Sequence, residues 1–176
     1  MLKLHNVLIV LIIVLSACSQ TTENTERLHF KMDQLQALHA EDAIYKERIY
    51  VPVYTDVFHI DQSKLFPLTV TLSLRNTSIN DTIYIYNVDY YNSKGKAIKQ
   101  HIGDNSMLSL SPLESYDLVI NKKTFSGDTG ANFIVDWGRT CGSGQLMVQA
   151  LMINTSGQQG LSFITDGKII AIDSCK

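Results

Sequence analysis

Apolar and polar residues alternate with a period of two through most of the chain beyond residue 48. The clearest case is the segment LTVTLSLR (68–75), in which leucines and a valine are separated by threonine, serine and arginine. Alternation of this kind is typical of an antiparallel strand with one buried and one solvent-facing side. The same reasoning predicts further strands at 83–91, 97–101, 107–110, 116–121, 132–137, 145–153, 161–164 and 168–172.

Turn signals separate these predicted strands at a spacing typical of all-β domains. NSKGK (92–96) predicts a hairpin, and Asp166-Gly167 predicts a turn before the last strand. No helical pattern lies between the strands, which disfavours a parallel sheet with crossover helices. The predicted fold class is therefore all-β, an antiparallel β-sandwich, with Trp137 as an anchor of its core.

The region before the strands has a different period. Leu28, Met32, Leu35 and Leu38 recur at helical spacing, which predicts a short helix over 28–42. Residues 19–27 are polar and without periodicity, as expected of a flexible tether.

The first residues have the pattern of an export signal. Lys3 precedes the uninterrupted apolar run Val7–Leu15, which is too short to cross a bilayer as a helix. The run ends in Leu-Ser-Ala-Cys (15–18), which resembles the bacterial lipoprotein box. This resemblance implies that the Cys18 thiol is lipidated and that residues 1–17 are removed. The alternatives are a plain signal peptide or an uncleaved anchor.

Composition fits this division of the chain. The 176 residues are 45% hydrophobic and 18% charged with a net charge of -2, and the signal carries much of the apolar surplus. The balanced charge gives no basic field, so we expect no nucleic-acid partner. The predicted parts are the signal (1–17), the lipidated cysteine, tether and short helix (18–46), and the sandwich domain (47–176).

Two cysteines remain after lipidation of Cys18. In an oxidising compartment Cys141 and Cys175 predict one disulfide, with two free thiols as the alternative. They lack the paired spacing of a zinc site.

Six segments resemble one bacterial family. They are RIYVPVYTDVFH (48–59), LFPLTVTLSLRNTS (65–78), VDYYNSKGKAI (88–98), LSPLES (110–115), GANFIVDW (130–137) and TSGQQGLSFITDGKII (155–170). The chain is thereby identified as a member of the domain-of-unknown-function family numbered 3124. The resemblance implies an exported or lipid-anchored envelope protein and no particular reaction. Some of these segments also resemble immunoglobulin-like domains, which implies that type of sandwich.

Several residues invite a catalytic or metal-binding interpretation. Asp128-Thr129-Gly130-Ala131 is similar to an aspartic protease signature, but TFSG precedes it where those enzymes have an apolar strand. The histidines, including His59 and His101, lack the spacing of a metal-binding helix. An envelope hydrolase and a metal-binding or sensing protein stay open as alternatives.

Two groups of residues form the candidate interaction surface. Tyr84, Tyr86 and Tyr90 share a face of one regular strand, and they form an exposed stripe if Ile83 and Ile85 face the core. The alternative is a central strand covered on both faces. Gln158 and Gln159 lie between glycines in a loop, where their amides either bind a ligand or bond to the loop itself.

The function expected from these observations is that of a non-enzymatic binding or scaffolding module. It would be attached to the membrane through the lipid on Cys18, outside the cytoplasm, on the periplasmic face of the outer membrane if the cell has one. Its expected partner is an envelope protein or a glycan, and we expect neither a cofactor nor a metal.

Overall fold

A computed structural model describes residues 35–37, 45–103, 106–120, 128–140, 144–156 and 160–173. The chain divides into two compact units, Met1–Asp33 and Gln34–Lys176. All of the described residues belong to the second unit.

The described residues form thirteen β-strands and one short 3-10 turn, Asp128–Gly130. The strands are β1 (Leu35–Ala37), β2 (Tyr45–Val53), β3 (Asp56–His59), β4 (Asp61–Pro67), β5 (Thr69–Asn76), β6 (Ile83–Tyr91), β7 (Ala97–Ile102), β8 (Ser106–Leu110), β9 (Ser115–Ile120), β10 (Ala131–Arg139), β11 (Leu146–Asn154), β12 (Leu161–Asp166) and β13 (Lys168–Asp173).

Every strand pairing in the described part of the chain is antiparallel. The larger sheet has seven strands in the order β1-β8-β6-β10-β2-β13, with β7 also paired to β6. The smaller sheet has four strands in the order β12-β11-β5-β9, and β3 and β4 form a two-stranded hairpin. The predicted all-β, antiparallel class is confirmed, and each strand predicted beyond residue 68 is present.

Both sheets contribute to one hydrophobic core. β5 supplies Val70, Leu72 and Leu74 from the smaller sheet, at the positions that the alternation predicted. The larger sheet supplies Phe133 and Trp137, which are almost completely buried, as predicted for Trp137. Burying each such side chain contributes roughly 1.5–3 kcal/mol, so the core is the main source of stability.

One buried polar side chain links the two sheets. Asn76, at the end of β5, donates its side-chain amide to the carbonyl oxygens of Asp81, Leu110 and Ser111 at 2.7, 3.0 and 2.9 Å. Its Oδ1 accepts the backbone N–H of Ser78 at 2.9 Å. Because Leu110 ends β8 of the larger sheet, these bonds fix the end of β5 against that sheet while satisfying a buried amide.

The predicted turn at Gly167 is instead a crossing between sheets. β12 pairs with β11 of the smaller sheet, whereas β13 pairs with β2 of the larger sheet, so the two strands do not form a hairpin. A Cβ on Gly167 would lie 2.6 Å from Ile49 Cγ2 and 3.2 Å from the carbonyl oxygen of Val148. The glycine is therefore needed for close approach to the core.

The hairpin predicted at 92–96 is confirmed. Asn92 and Lys96 are joined by a backbone hydrogen bond of 3.0 Å, and Gly95 has a φ of 71°. The Asn92 Oδ1 also accepts the backbone N–H groups of Lys94 and Lys96. Glycine and asparagine thus perform their usual roles in a turn between β6 and β7.

The predicted helix over 28–42 is wrong where the structure describes it. Leu35–Ala37 forms strand β1, and Leu35 and Ala37 pair with Leu108 and Ser106 of β8. A short isolated helix gains little stability in water, whereas a sheet edge satisfies the same backbone groups. The other residues of 28–42 lie outside the described part of the chain.

Candidate functional site

The larger sheet has an inner face toward the core and an outer face that carries a set of hydrogen-bonded polar and charged side chains. Strand register places Asn87, Asp136, Arg48 and Ala171 in one row across β6, β10, β2 and β13. The adjacent row contains Tyr84, Gly138, Lys46 and Asp173. These two rows define what we call the outer-face site.

An ion pair occupies the middle of the outer-face site. The Arg48 guanidinium donates two hydrogen bonds to Asp136, from Nε to Oδ1 at 2.7 Å and from Nη2 to Oδ2 at 2.9 Å. The Asp136 carboxylate raises the pKa of Arg48, through the hydrogen bond first and its charge second. Because the two groups occupy facing positions on β10 and β2, the pair is geometrically fixed and its charges cancel.

A second polar cluster extends the surface along β6. Asn87 donates to Asp89 Oδ2 at 2.8 Å, and Tyr91 donates to the same oxygen at 3.4 Å. Gln100 of β7 donates to Asn87 Oδ1 at 3.0 Å. Burial raises the pKa of Tyr91, with the Asp89 charge as the next cause, so the phenol keeps its proton and remains a donor.

A cavity of about 350 Å³ opens on this surface. Its walls include Arg48 and Asp136 of the ion pair, together with Lys46 and Asp173, which face each other across β2 and β13. The Lys46 ammonium lies 5.6 Å from the centre of the Tyr86 ring. The cavity is lined by Lys46, Glu47, Arg48, Tyr86, Asp136, Trp137, Ala171 and Asp173.

The predicted tyrosine stripe is wrong at one of its three members. Tyr84 and Tyr86 are half-buried on the outer face, but Tyr90 is completely buried in the core. A β-bulge causes the change, because Asp136 pairs with Asn87 and Trp137 pairs with Ile85, which leaves Tyr86 as an extra residue. One extra residue reverses the side-chain alternation beyond it, so Tyr91 lies outside in place of Tyr90.

A smaller cavity lies at the end of the core, under a cluster of aromatic and charged groups. Trp137 Nε1 donates to Glu47 Oε2 at 3.0 Å, and the Tyr45 hydroxyl also donates to Glu47. The hydrogen bond with Glu47 raises the pKa of Tyr45. Arg139 lies over the Tyr45 ring at 4.4 Å and donates to the Gly144 carbonyl. These contacts hold Trp137 in place and account for the polar end of an otherwise apolar core.

Asp136, His59 and His101 are not brought together by the structure. Asp136 lies on the outer face with Arg48, whereas the His101 ring is 6.1 Å from the Phe133 ring on the inner side. His59 belongs to the β3–β4 hairpin, with its ring 6.0 Å from that of Phe66. The sheet therefore separates Asp136 from His101. Within the ranges that the structure describes, no three histidine, cysteine, aspartate or glutamate residues group as metal ligands.

Several predicted site residues lie outside the described part of the chain. They are Cys18, the proposed disulfide partners Cys141 and Cys175, and the loop glutamines Gln158 and Gln159. Among the residues that the structure describes, no helix is long and apolar enough to span a membrane.

Sequence reasoning missed the ion pair at the centre of the site. The available signal was the alternation in GANFIVDW, since Phe133, Val135 and Trp137 on one face place Asp136 on the other. A lone aspartate on a strand does not reveal its partner, because Arg48 is 88 residues away in sequence. The register of β10 against β2 is required to bring them together.

Comparison with known proteins identifies a family without a described activity. The family described as "Protein of unknown function (DUF3124)" matches residues 46–170. A comparison with curated proteins gives no match. The crystal structure of Thermotoga maritima 1070 is 14% identical, covering 69% of this chain and 92% of that chain, with a TM-score of 0.44.

Proposed function

The chain belongs to the DUF3124 family of proteins of unknown function, and we propose that it is a lipid-anchored, non-catalytic module that binds an envelope glycan. The anchor would be a lipid on Cys18, with residues 1–17 removed as an export signal. The fold would be an immunoglobulin-like sandwich, an assignment supported by the two antiparallel sheets that share one core.

The observation that carries the binding role is the outer-face cavity. A cavity of about 350 Å³ lies within the range of small-ligand sites, and its walls combine aromatic surface with fixed polar groups. The hydrogen-bonding groups of the outer face belong to neighbouring strands rather than to loops. They are therefore preorganised for binding.

The charge balance of the cavity favours a neutral polyhydroxyl ligand. Its charged residues are of both signs, and the Arg48–Asp136 pair is already neutralised. The lining carries two positive and three negative side chains, so an ionic ligand of either sign would also meet charges like its own. Sugar hydroxyls both donate and accept hydrogen bonds and so match such mixed groups. The half-buried Tyr86 ring offers apolar surface for one face of a sugar ring. These features support a glycan over a charged metabolite.

Binding can be measured by calorimetry on the full chain purified in detergent. The probe is a soluble β-1,4-linked N-acetylglucosamine oligomer, with a glycan array to test other sugars. We expect Tyr86→Ala to weaken binding about tenfold, because the lost aromatic contact contributes about 0.5–1.5 kcal/mol in addition to lost buried area. Tyr54→Ala is the matched control, since Tyr54 is a 37% exposed tyrosine whose ring lies beside Phe163 of the smaller sheet.

Equal affinities for the two variants would remove the outer-face site from the proposal. Failure of every glycan on the array to bind the wild-type chain would reject the glycan role altogether. The anchor has its own test, in which Cys18→Ser should abolish incorporation of a labelled fatty acid during growth. Continued labelling of that variant would contradict the anchor without affecting the binding result.

A further inference from the structure

Strand β13 is the most exposed strand in the described part of the molecule. It ends the larger sheet, and among the described strands it pairs with β2 alone. All six of its residues are exposed, including Ile169 at 47%, Ile170 at 52% and Ile172 at 58%. No described strand pairs with its other edge, where backbone hydrogen-bonding groups lie beside β-branched apolar side chains.

An edge of this composition is a ready template for another strand. Native proteins usually protect sheet edges with charges, prolines, bulges or a covering segment, since open apolar edges associate. β13 has a charge at each end, Lys168 and Asp173, and a bulge at Ile170, where its register against β2 shifts. Between the two charges, the composition favours pairing rather than solvation.

The register shows which side chains of β13 share a face. Lys168 pairs with Tyr50 and Asp173 pairs with Lys46, and these partners are four residues apart on β2 and so lie on the same face. By the same argument Ile169 and Ile172, which pair with Ile49 and Glu47, share the opposite face. The bulge at Ile170 brings about this arrangement, because residues separated by an odd number would otherwise face opposite sides.

We propose that β13 pairs antiparallel with β13 of a second copy of this chain, about a two-fold axis between Ile170 and Ala171. In this register Lys168 lies opposite Asp173 of the second copy, and Ile169 lies opposite Ile172 of the second copy. Each pair lies on a single face, so opposite charges meet at both ends and isoleucines meet between them. The self-complementary order of charges is the reason for assigning a second copy rather than an unrelated strand.

This pairing would continue the larger sheet across two molecules. Because Ala171 and Asp173 also line the outer-face cavity, the two cavities would lie near each other on one side of the joined sheet. The inference rests on the strand edge alone and does not require that the cavity bind a glycan.

The test is a charge exchange between two variants of the full chain. Its readout is native mass spectrometry over a concentration series, with micelles in excess and with reductant to exclude intermolecular disulfides. Lys168→Asp places aspartate opposite aspartate in its own dimer, and Asp173→Lys places lysine opposite lysine. We expect each variant alone to dimerise about tenfold more weakly than the wild type. Mixing the two variants restores both opposite-charge pairs, so the mixed dimer should form with nearly wild-type affinity.

Lys64→Asp is the control for a general charge effect, since Lys64 is exposed on β4, and it should dimerise like the wild type. Recovery in the mixture also excludes misfolding as the cause of the losses. A wild-type chain that stays monomeric throughout the series would overturn the proposal, as would a mixture no tighter than its components. Hydrogen exchange adds a further check on the β13 amides that point away from β2. Protection of those amides in the monomer would mean that a segment of the same chain covers the edge, which would overturn the proposal.

Discussion

The two faces of the larger sheet are built from the same strands but differ in almost every property. On the inner face, alternate residues of β10 such as Phe133 and Val135 are completely buried. On the outer face, the residues between them are polar or half-buried, and Asp136 is paired with Arg48. The inner face supplies the stability through apolar burial, so the outer face is free to carry polar chemistry.

The largest expected difference between the faces comes from truncating adjacent residues of β10. Phe133→Ala removes a ring that contacts Tyr90 at 5.0 Å between centroids, and it should lower the free energy of unfolding by about 3–5 kcal/mol. Ile134→Ala, one residue along and half-buried on the outer face, should cost less than about 1.5 kcal/mol. Urea unfolding of the full chain measures both, and equal losses would contradict the division of labour between the faces.

A histidine on the inner side makes a second, smaller contribution that depends on pH. Burial first, and the charge of Lys99 second, lower the pKa of His101 from 6.5 to about 4. Above pH 6.5 the imidazole is neutral whether the chain is folded or unfolded, so it has no effect on stability. Between pH 6.5 and 4 the unfolded chain binds the proton and the folded chain does not, so stability falls as the pH falls.

His101→Gln should therefore flatten the stability profile between pH 6.5 and 4. The expected change is about 1–2 kcal/mol across the window, after allowance for the part of the ring that is solvated. The measurement is urea unfolding at several pH values, and His59→Gln, at an exposed histidine, is the control. An unchanged slope in His101→Gln would mean that the ring is protonated in the folded chain, against its burial beside Phe133.

The alternation of residues was sufficient to predict most of the strands but could not predict the faces beyond a bulge. Segment 83–91 was predicted with its observed bounds, since its β-branched and aromatic residues leave few alternatives. The prediction that Tyr90 faces outward was wrong, because the bulge at Tyr86 arises from the pairing of β6 with β10. Alternation of apolar and polar residues in the sequence does not indicate where an extra residue interrupts the pairing of two strands.

The predictions of a helix over 28–42 and of a hairpin turn at Gly167 were wrong for a related reason. The leucine spacing around Leu35 fits a helix locally, but pairing with β8 decides the outcome. Gly167 separates two strands in either interpretation, and only the partners of β12 and β13 distinguish a hairpin from a crossing between sheets. The Arg48–Asp136 pair could not be predicted for the same reason, since strand register brings its two members together. Prediction of the candidate site therefore requires the tertiary register, whereas prediction of the fold class does not.

The smallest expected effect is in the outer-face ion pair itself. The Arg48 side chain is 54% exposed and that of Asp136 is 23% exposed, so solvent screens much of their attraction despite the two short hydrogen bonds. A double-mutant cycle of Arg48→Gln and Asp136→Asn should give a coupling energy below about 1 kcal/mol. Urea unfolding of the wild type, both single variants and the double variant supplies the four values.

A coupling of about 3 kcal/mol or more would make the pair a structural element comparable to the core, and the outer face would no longer be free to serve binding. A weak coupling has the opposite consequence, because groups held in place at little energetic gain can exchange their hydrogen bonds for those of a ligand without unfolding the sheet.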